Sequence, residues 1–160
     1  LGAAIATKKI ADAFIGGADE TFKHLITFGG HPIASAAALA NLAIFEREDL
    51  VGNSRRLGPY LFDQLQSLYS HDIVGDVRGG LGLLAAVELV ADRPSKTPFP
   101  ADAGLAKKMP KMLFEKNIVT LRAADVITIC PPLSINKSEI DFIVNAIDGA
   151  LTELEHDLGI

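Results

Sequence analysis

The chain has 160 residues, about the length of one domain, and its 15 lysines and arginines against 20 aspartates and glutamates give a net charge of −5. This acidic balance argues against a nucleic-acid-binding protein, which normally presents a clustered positive face. Hydrophobic residues make up 49% of the sequence and charged residues 22%, which excludes a disordered chain. A single cysteine, Cys130, excludes a disulfide framework and a cysteine-ligated zinc site and favours a reducing compartment. We expect Cys130 to fill a buried strand end.

The first residues and the mean hydropathy both indicate part of a larger protein. The sequence begins Leu1-Gly2-Ala3-Ala4, without a methionine, a basic stretch or a signal-peptide pattern. Its mean hydropathy of +0.28 is high for a soluble domain of this size. We therefore expect a piece cut from within a domain, whose apolar surface normally packs against more protein.

Residues 25–45 form the longest stretch without a charged side chain. Its Gly-Gly-His-Pro segment and alanine-rich middle argue against a membrane span, because a polar turn would lie in hydrocarbon. We expect a buried, alanine-rich helix here and no membrane contact.

Residues 1–48 predict a short strand and two helices. The small apolar residues 1–6 suggest a buried strand. Thr7 can cap a short helix that ends at the glycines 16 and 17, and Pro32 can begin a longer one, since its missing N–H costs nothing in the first turn. One face of the longer helix carries Ile33, Ala36, Ala37, Ala40 and Ile44, which implies close approach to a neighbouring element. The composition becomes charged at residues 46–49, where we place a domain boundary.

Residues 49–160 predict the order helix, two strands, helix, two strands, helix. The first helix begins at Asn53 or Ser54 and directs a set of leucines inward, namely Leu57, Leu61, Leu65 and Leu68. The first strand pair is 72–78 and 81–90, and a proline-rich loop follows at 91–100. A helix is predicted over 102–117, where Pro110 should kink or split it.

The last part of the chain predicts a β-hairpin and a long helix. The hairpin strands are 118–122 and 126–130. Asn136 and Glu139 have the spacing of a capping box, and the following apolar residues recur at helical spacing. The sequence therefore predicts an α/β fold, with a two-layer unit around a mainly antiparallel sheet.

Residues 27–32, Thr-Phe-Gly-Gly-His-Pro, are the strongest candidate for ligand binding. A hydroxyl and glycine-exposed backbone N–H groups lie just before a helix N-terminus, which is an arrangement that holds a phosphate. The alternative is a plain turn and helix start.

Arg122 is the second candidate, because a guanidinium at the end of an apolar strand could hold a carboxylate through two parallel hydrogen bonds. The alternative is a solvent-facing arginine. No metal site is expected, since the histidines are far apart in the sequence, at His24, His31, His71 and His156.

Four blocks of sequence, in order, resemble the class III pyridoxal-phosphate aminotransferases. The blocks are Thr27-Phe28-Gly29-Gly30-His31-Pro32 with the helix after it; Val77-Arg78-Gly79 through Glu88-Leu89-Val90; Ala91-Asp92-Arg93 with Thr97-Pro98-Phe99; and Leu121-Arg122 with Pro131-Pro132-Leu133. The third block resembles the ω-amino acid–pyruvate branch in particular. Residues 78–82 depart from the commoner pattern, because the second glycine stands one place later.

The resemblance implies that residues 1–48 end the large domain of a pyridoxal-phosphate-dependent transferase and that residues 49–160 form its small C-terminal domain. Thr27 matches the threonine that binds the cofactor phosphate of the neighbouring subunit in a homodimer, and Phe28 matches the aromatic residue beside it. Arg122 matches the mobile arginine that pairs with the substrate α-carboxylate. Leu1-Gly2-Ala3 resembles the segment that follows the Schiff-base lysine. We therefore expect that lysine upstream and no catalytic residue here.

The resemblance further implies an enzyme that moves an amino group from an ω-amino acid or amine to pyruvate or a similar 2-oxo acid. It would use pyridoxal 5′-phosphate and act as a cytoplasmic homodimer on small molecules, and this chain alone would be inactive. Two alternatives stay open. One is another class III enzyme, such as an aminomutase or a decarboxylating aminotransferase. The other is a non-catalytic dimerisation or interaction module on the same scaffold.

Overall fold

The computed structural model describes residues 2–120 and 125–160, which divide into two compact units, Leu1–Arg47 and Glu48–Ile160. Within these residues no helix is long and apolar enough to cross a membrane. The larger unit has an α/β architecture with an antiparallel sheet, as predicted.

The first unit contains two helices, α1 (Lys8–Asp12) and α2 (Pro32–Arg47). The predicted start of α2 at Pro32 is confirmed. The predicted strand over residues 1–6 is wrong, because residues 2–6 are exposed and form no strand. Among the described residues of this unit, no segment pairs with them. Without a partner strand, the N–H and carbonyl groups of an extended chain have no sheet in which to form hydrogen bonds.

No described side chain of the first unit is buried. The alanine-rich helix is present as α2, but the prediction that it is buried is wrong, because its residues are exposed or only partly covered. Large apolar side chains lie in solvent throughout the unit, with Ile5 at 95% and Leu25 at 93% exposure. α2 carries alanines and larger apolar side chains on all of its faces, and the other residues of this short unit are too few to cover them.

The second unit joins three helices to one sheet. Its elements are α3 (Leu50–Gln66), β1 (Val74–Arg78), β2 (Ala85–Leu89), α4 (Leu105–Glu115), β3 (Val126–Ile129) and α5 (Lys137–Leu158). β2 lies in the centre and pairs antiparallel with both neighbours, so that Val87 is opposite Val77 on one side and Ile127 on the other.

The predicted hairpin is only partly present. Residues 118–120 form no strand, although the Thr120 hydroxyl donates to the carbonyl of Thr128 at 2.8 Å. The rest of the first hairpin strand, with Arg122, and most of the turn lie in residues 121–124, outside the described residues. Within the described residues β3 pairs with β2 alone.

A single apolar core holds the second unit together, with contributions from all three helices and all three strands. Fully burying a large apolar side chain contributes about 1.5–3 kcal/mol. The largest fully buried side chains are Leu61, Leu65, Leu68, Ile73, Leu89, Met109, Leu113, Ile127, Ile140, Ile147, Leu151 and Leu154. The inward direction predicted for the leucines of the first helix is confirmed.

Helix ends in this unit are set by local hydrogen bonds. The capping box is confirmed, because the Asn136 side chain accepts from the Glu139 N–H at 3.0 Å and the Glu139 carboxylate accepts from the Asn136 N–H at 2.9 Å. α3 begins at Leu50, earlier than predicted. α4 continues through Pro110 without a break, so the predicted split is wrong; Ala106, whose carbonyl loses its helical donor at Pro110, is an exposed residue.

Asn53 lies inside α3 rather than at its start. Its side-chain amide donates to the carbonyls of Leu133 at 2.7 Å and Ile135 at 2.9 Å. These two bonds hold the loop before α5 against α3 and satisfy carbonyl groups that no helix or strand would pair.

Gly58 allows α3 to touch the loop between β1 and β2. A Cβ at Gly58 would lie 2.5 Å from the carbonyl oxygen of Gly82. The loop itself needs glycine, because φ is +92° at Gly80 and +77° at Gly82. The glycine that stands one place later than in the commoner family pattern thus lies in a loop whose backbone packs against the backbone of α3.

We expect Gly58→Ala to lower the free energy of unfolding by about 1–3 kcal/mol, because the clash is with backbone that cannot move aside. Helix propensity alone would favour alanine by about 1 kcal/mol, so the sign of the change is diagnostic. Gly149 is the matched control, since a Cβ there meets only the end of the Lys116 side chain at 3.4 Å. Denaturant unfolding of the full chain should show no loss of stability for Gly149→Ala.

Candidate functional site

The predicted phosphate loop is a turn that leads directly into α2. The Gly29 N–H donates to the carbonyl of Ile26 at 2.9 Å, which closes the turn around Thr27. A Cβ at Gly29 would lie 3.0 Å from the same carbonyl oxygen, and Gly30 has φ of +72°. Both glycines are therefore needed for the backbone path rather than being incidental.

His31 caps the helix that follows the loop. Its Nδ1 accepts from the Ala34 N–H at 3.4 Å, and its carbonyl accepts from the Ser35 N–H at 2.9 Å. A plain turn and helix start, the alternative to a phosphate site, therefore accounts for His31. It does not account for Thr27, whose side chain takes no part in the cap.

Three donors of the loop are open to solvent. The Thr27 hydroxyl and the N–H groups of Phe28 and Gly30 have no hydrogen-bond partner within residues 2–120 and 125–160. The Phe28 ring is 77% exposed. An exposed hydroxyl and free N–H groups beside the positive end of a long helix suit a phosphate group, and the small glycines leave room for it.

Arg122 lies outside the described residues, so its surroundings are not part of this geometry. Residues on either side of it in sequence, Thr120 and Cys130, line an apolar pocket of about 270 Å³ together with side chains of α5. Cys130 itself is exposed, so the prediction that it fills a buried strand end is wrong. It follows the last residue of β3, where the chain turns away from the core.

No group of three or more histidine, cysteine, aspartate or glutamate side chains that could hold a metal ion occurs among residues 2–120 and 125–160. Arg78 pairs with both Asp76, at 2.9 Å, and Glu88. Hydrogen bonds to Glu88 and Asp76 raise the pKa of Arg78, so its charge is already matched within the sheet.

Arg93, in the third of the four sequence blocks, has a structural position that the sequence did not reveal. Its Nε donates to the carbonyl of Val74 at 2.8 Å, and its Nη2 donates to the carbonyls of Tyr69, at 3.1 Å, and His71. The guanidinium also lies 5.6 Å from the centre of the Tyr69 ring. The side chain thus ties the first carbonyl of β1 to the turn that precedes the strand.

The same block forms a tight loop around Asp92. The Asp92 carboxylate accepts from the Ser95 N–H at 2.9 Å and from the Ser95 hydroxyl, and Asp92 pairs with Thr97 across the loop. The two hydrogen bonds from Ser95 lower the pKa of Asp92, and the one from the hydroxyl does so most strongly. The block builds the sheet edge and presents no open binding group among the contacts described.

We expect Arg93→Ala to lower the free energy of unfolding by about 1.5–3 kcal/mol, because hydrogen bonds to a charged group contribute that much and the carbonyls of Val74 and Tyr69 lose the guanidinium donor. Arg93→Lys should recover only part of the loss, since an ammonium cannot reproduce the planar fork. Arg55→Ala, at an exposed position of α3, is the control and should change stability by less than about 0.5 kcal/mol. Equal effects at both positions in denaturant unfolding would reject the role of Arg93.

Comparison with known proteins covers nearly the whole chain. Residues 1–151 match the family model described as Aminotransferase class-III. A taurine–pyruvate aminotransferase of Bilophila wadsworthia is 36% identical over 98% of this chain and 36% of its own length.

Solved structures give the same match. An (S)-enantioselective ω-transaminase from Thermomicrobium roseum is 35% identical with a TM-score of 0.86, over 92% of this chain and 33% of that one. An ω-transaminase from Pseudomonas jessenii in complex with PMP is 40% identical with a TM-score of 0.78, over 86% and 30%. The chain thus spans about a third of the length of these relatives.

Proposed function

The chain belongs to the class III aminotransferases, which are pyridoxal-phosphate enzymes, and from that premise we propose the reaction of the whole protein. It moves an amino group from an ω-amino acid or an amine to pyruvate or a similar 2-oxo acid. The observation that carries this proposal is the family match over residues 1–151, supported by relatives named as a taurine–pyruvate aminotransferase and as ω-transaminases.

In this proposal residues 1–48 complete the large domain, and residues 49–160 are the small C-terminal domain. The distribution of burial supports it, because the core of this chain lies in the second unit while the apolar side chains of the first remain exposed. The rest of the large domain and a second copy of the protein would cover them in a cytoplasmic homodimer. Apolar area of this extent is otherwise a liability in solution.

When bound, the pyridoxal cofactor supplies the electron sink for the amino transfer. In this proposal, the residues of this chain hold the cofactor in place. The Thr27 hydroxyl and the N–H groups of Phe28 and Gly30 would donate to the phosphate of the neighbouring subunit's cofactor, with the α2 N-terminus adding a favourable dipole. Phe28 would place its ring beside that phosphate. These contacts fix the position of the cofactor and leave the proton transfers to residues outside this chain.

Arg122 would pair with the α-carboxylate of the substrate through two parallel hydrogen bonds, and it would turn aside for substrates without a carboxylate. Such a contact orients the 2-oxo acid and selects it over aldehydes and ketones of similar size. The support for this role is the sequence block that contains Arg122, and its test is kinetic.

We expect Thr27→Val in the full-length enzyme to weaken cofactor binding about tenfold or more, because a hydrogen bond to a charged group contributes about 1.5–3 kcal/mol. Thr27→Ser keeps the hydroxyl and should bind the cofactor almost as well as the parent. Loss of cofactor absorbance on dialysis measures the affinity. If valine and serine variants retain cofactor equally, Thr27 does not hold the phosphate.

Arg122→Ala should reduce kcat/KM for pyruvate by about 10- to 100-fold, from the same range of hydrogen-bond energies. Turnover of an amine with an aldehyde acceptor should change much less, because neither substrate has a carboxylate. Arg122→Lys keeps the charge and loses the fork, so it should fall between. Equal losses with both acceptors would reject a carboxylate contact.

The reaction class is tested with the full-length protein and a panel of donors that includes taurine, β-alanine and a primary amine. Formation of alanine from pyruvate supports transamination. Release of carbon dioxide or an internal shift of the amino group identifies a decarboxylating enzyme or an aminomutase. A protein that never acquires the cofactor's absorbance is a non-catalytic module. We expect these 160 residues alone to give no turnover of β-alanine with pyruvate.

A further inference from the structure

His71, between α3 and β1, is a buried ionisable side chain that the proposed reaction does not use. The residue is 8% exposed and is the one buried polar residue among those described. Its Nδ1 lies 2.8 Å from a carboxylate oxygen of Glu155, and its Nε2 lies 3.0 Å from one of Asp148. Both carboxylates belong to α5, two turns apart, so the imidazole ring spans part of the helix face.

With both carboxylates ionised, this geometry is satisfied by a proton on each ring nitrogen. An ionised carboxylate only accepts hydrogen bonds, so two such partners need two N–H donors, and a neutral imidazole has one. Burial opposes the charge, but the hydrogen bonds to Glu155 and Asp148 outweigh it and raise the pKa of His71 above its ordinary 6.5. The arrangement therefore favours the protonated ring, whose single positive charge is shared between two carboxylates of α5.

Other charged side chains lie near His71 and along α5. On the same side as His71, the Arg93 guanidinium donates to the carbonyl of His71. On the opposite side of α5, Lys108 pairs with Asp157 at 2.7 Å and Lys116 with Glu153 at 2.6 Å. Histidine is the side chain whose ordinary pKa lies nearest to neutral pH, so His71 is the cationic contact that we expect a mildly alkaline solution to remove.

We propose that His71 is a pH-sensitive clamp, which fixes the C-terminal half of α5 to the turn before β1 while it is protonated and releases it on losing a proton. After that loss one carboxylate faces a nitrogen lone pair, so the contact becomes repulsive. Because the pKa of His71 is raised by folding, the clamp contributes fully below pH 6.5. Its contribution is lost as the pH rises through the pKa of the folded protein. The clamp acts independently of the proposed amino transfer.

The test combines two measurements on the full chain between pH 6 and 9. Imidazole nitrogen chemical shifts from NMR report the protonation of His71, and amide hydrogen exchange, corrected for its intrinsic pH dependence, reports the opening of α5. We expect both nitrogens to be protonated at pH 6.5 and the ring to titrate above it. Exchange protection around residues 148–155 should fall over the same pH range, about tenfold for each pKa unit by which folding raises the pKa.

Variants separate the clamp from general effects of pH. His71→Gln can donate to one carboxylate and does not titrate, so its α5 protection should be lower and independent of pH in this range. His156→Gln removes an exposed histidine of the same helix and should keep the wild-type pH dependence. The proposal is overturned if His71 titrates at or below 6.5 in the wild-type chain, or if α5 protection does not follow its titration. These wild-type measurements decide the matter even if His71→Gln fails to fold.

Discussion

The apolar face of α5 is the constraint on which the second unit depends. Ile140, Ile147, Leu151 and Leu154 are fully buried along it, and they pack into one core with α3, α4 and the inner face of the sheet. Removing α5 would expose that core along its whole length. The polar contacts around α5, from Asn136 at its start to the ion pairs of its last turns, act on a helix that is already held by apolar burial, which is the larger free-energy contribution.

Side chains complete the edges of this small sheet. Within residues 2–120 and 125–160, β1 pairs with β2 alone. The Tyr69 hydroxyl accepts from the Val77 N–H at 3.0 Å, and Arg93 donates to the Val74 carbonyl. These contacts leave fewer backbone groups free for pairing with another chain. They also give the sequence block that contains Arg93 a role in holding the scaffold.

The first unit, unlike the second, has no buried core among its described residues. Its loop at residues 27–30 has a defined turn, fixed by Gly29 and Gly30, but no core beneath it. In the proposed dimer the loop would be held from outside, by the same surfaces that cover α2. The shape of the turn is thus set locally, by Gly29 and Gly30. In the proposed dimer, the rigidity that a phosphate site needs would come from the protein packed around the loop.

The sequence by itself determined the features that depend on neighbours a few residues apart. The helical spacing in α5, the capping box at Asn136 and the start of α2 at Pro32 were all predictable, because each is set within one or two turns of chain. Only the tertiary structure decided what is buried. The exposure of Cys130, the absence of a strand at residues 2–6 and the contacts of Arg93 and His71 depend on partners distant in sequence. A local pattern contains no information about those partners.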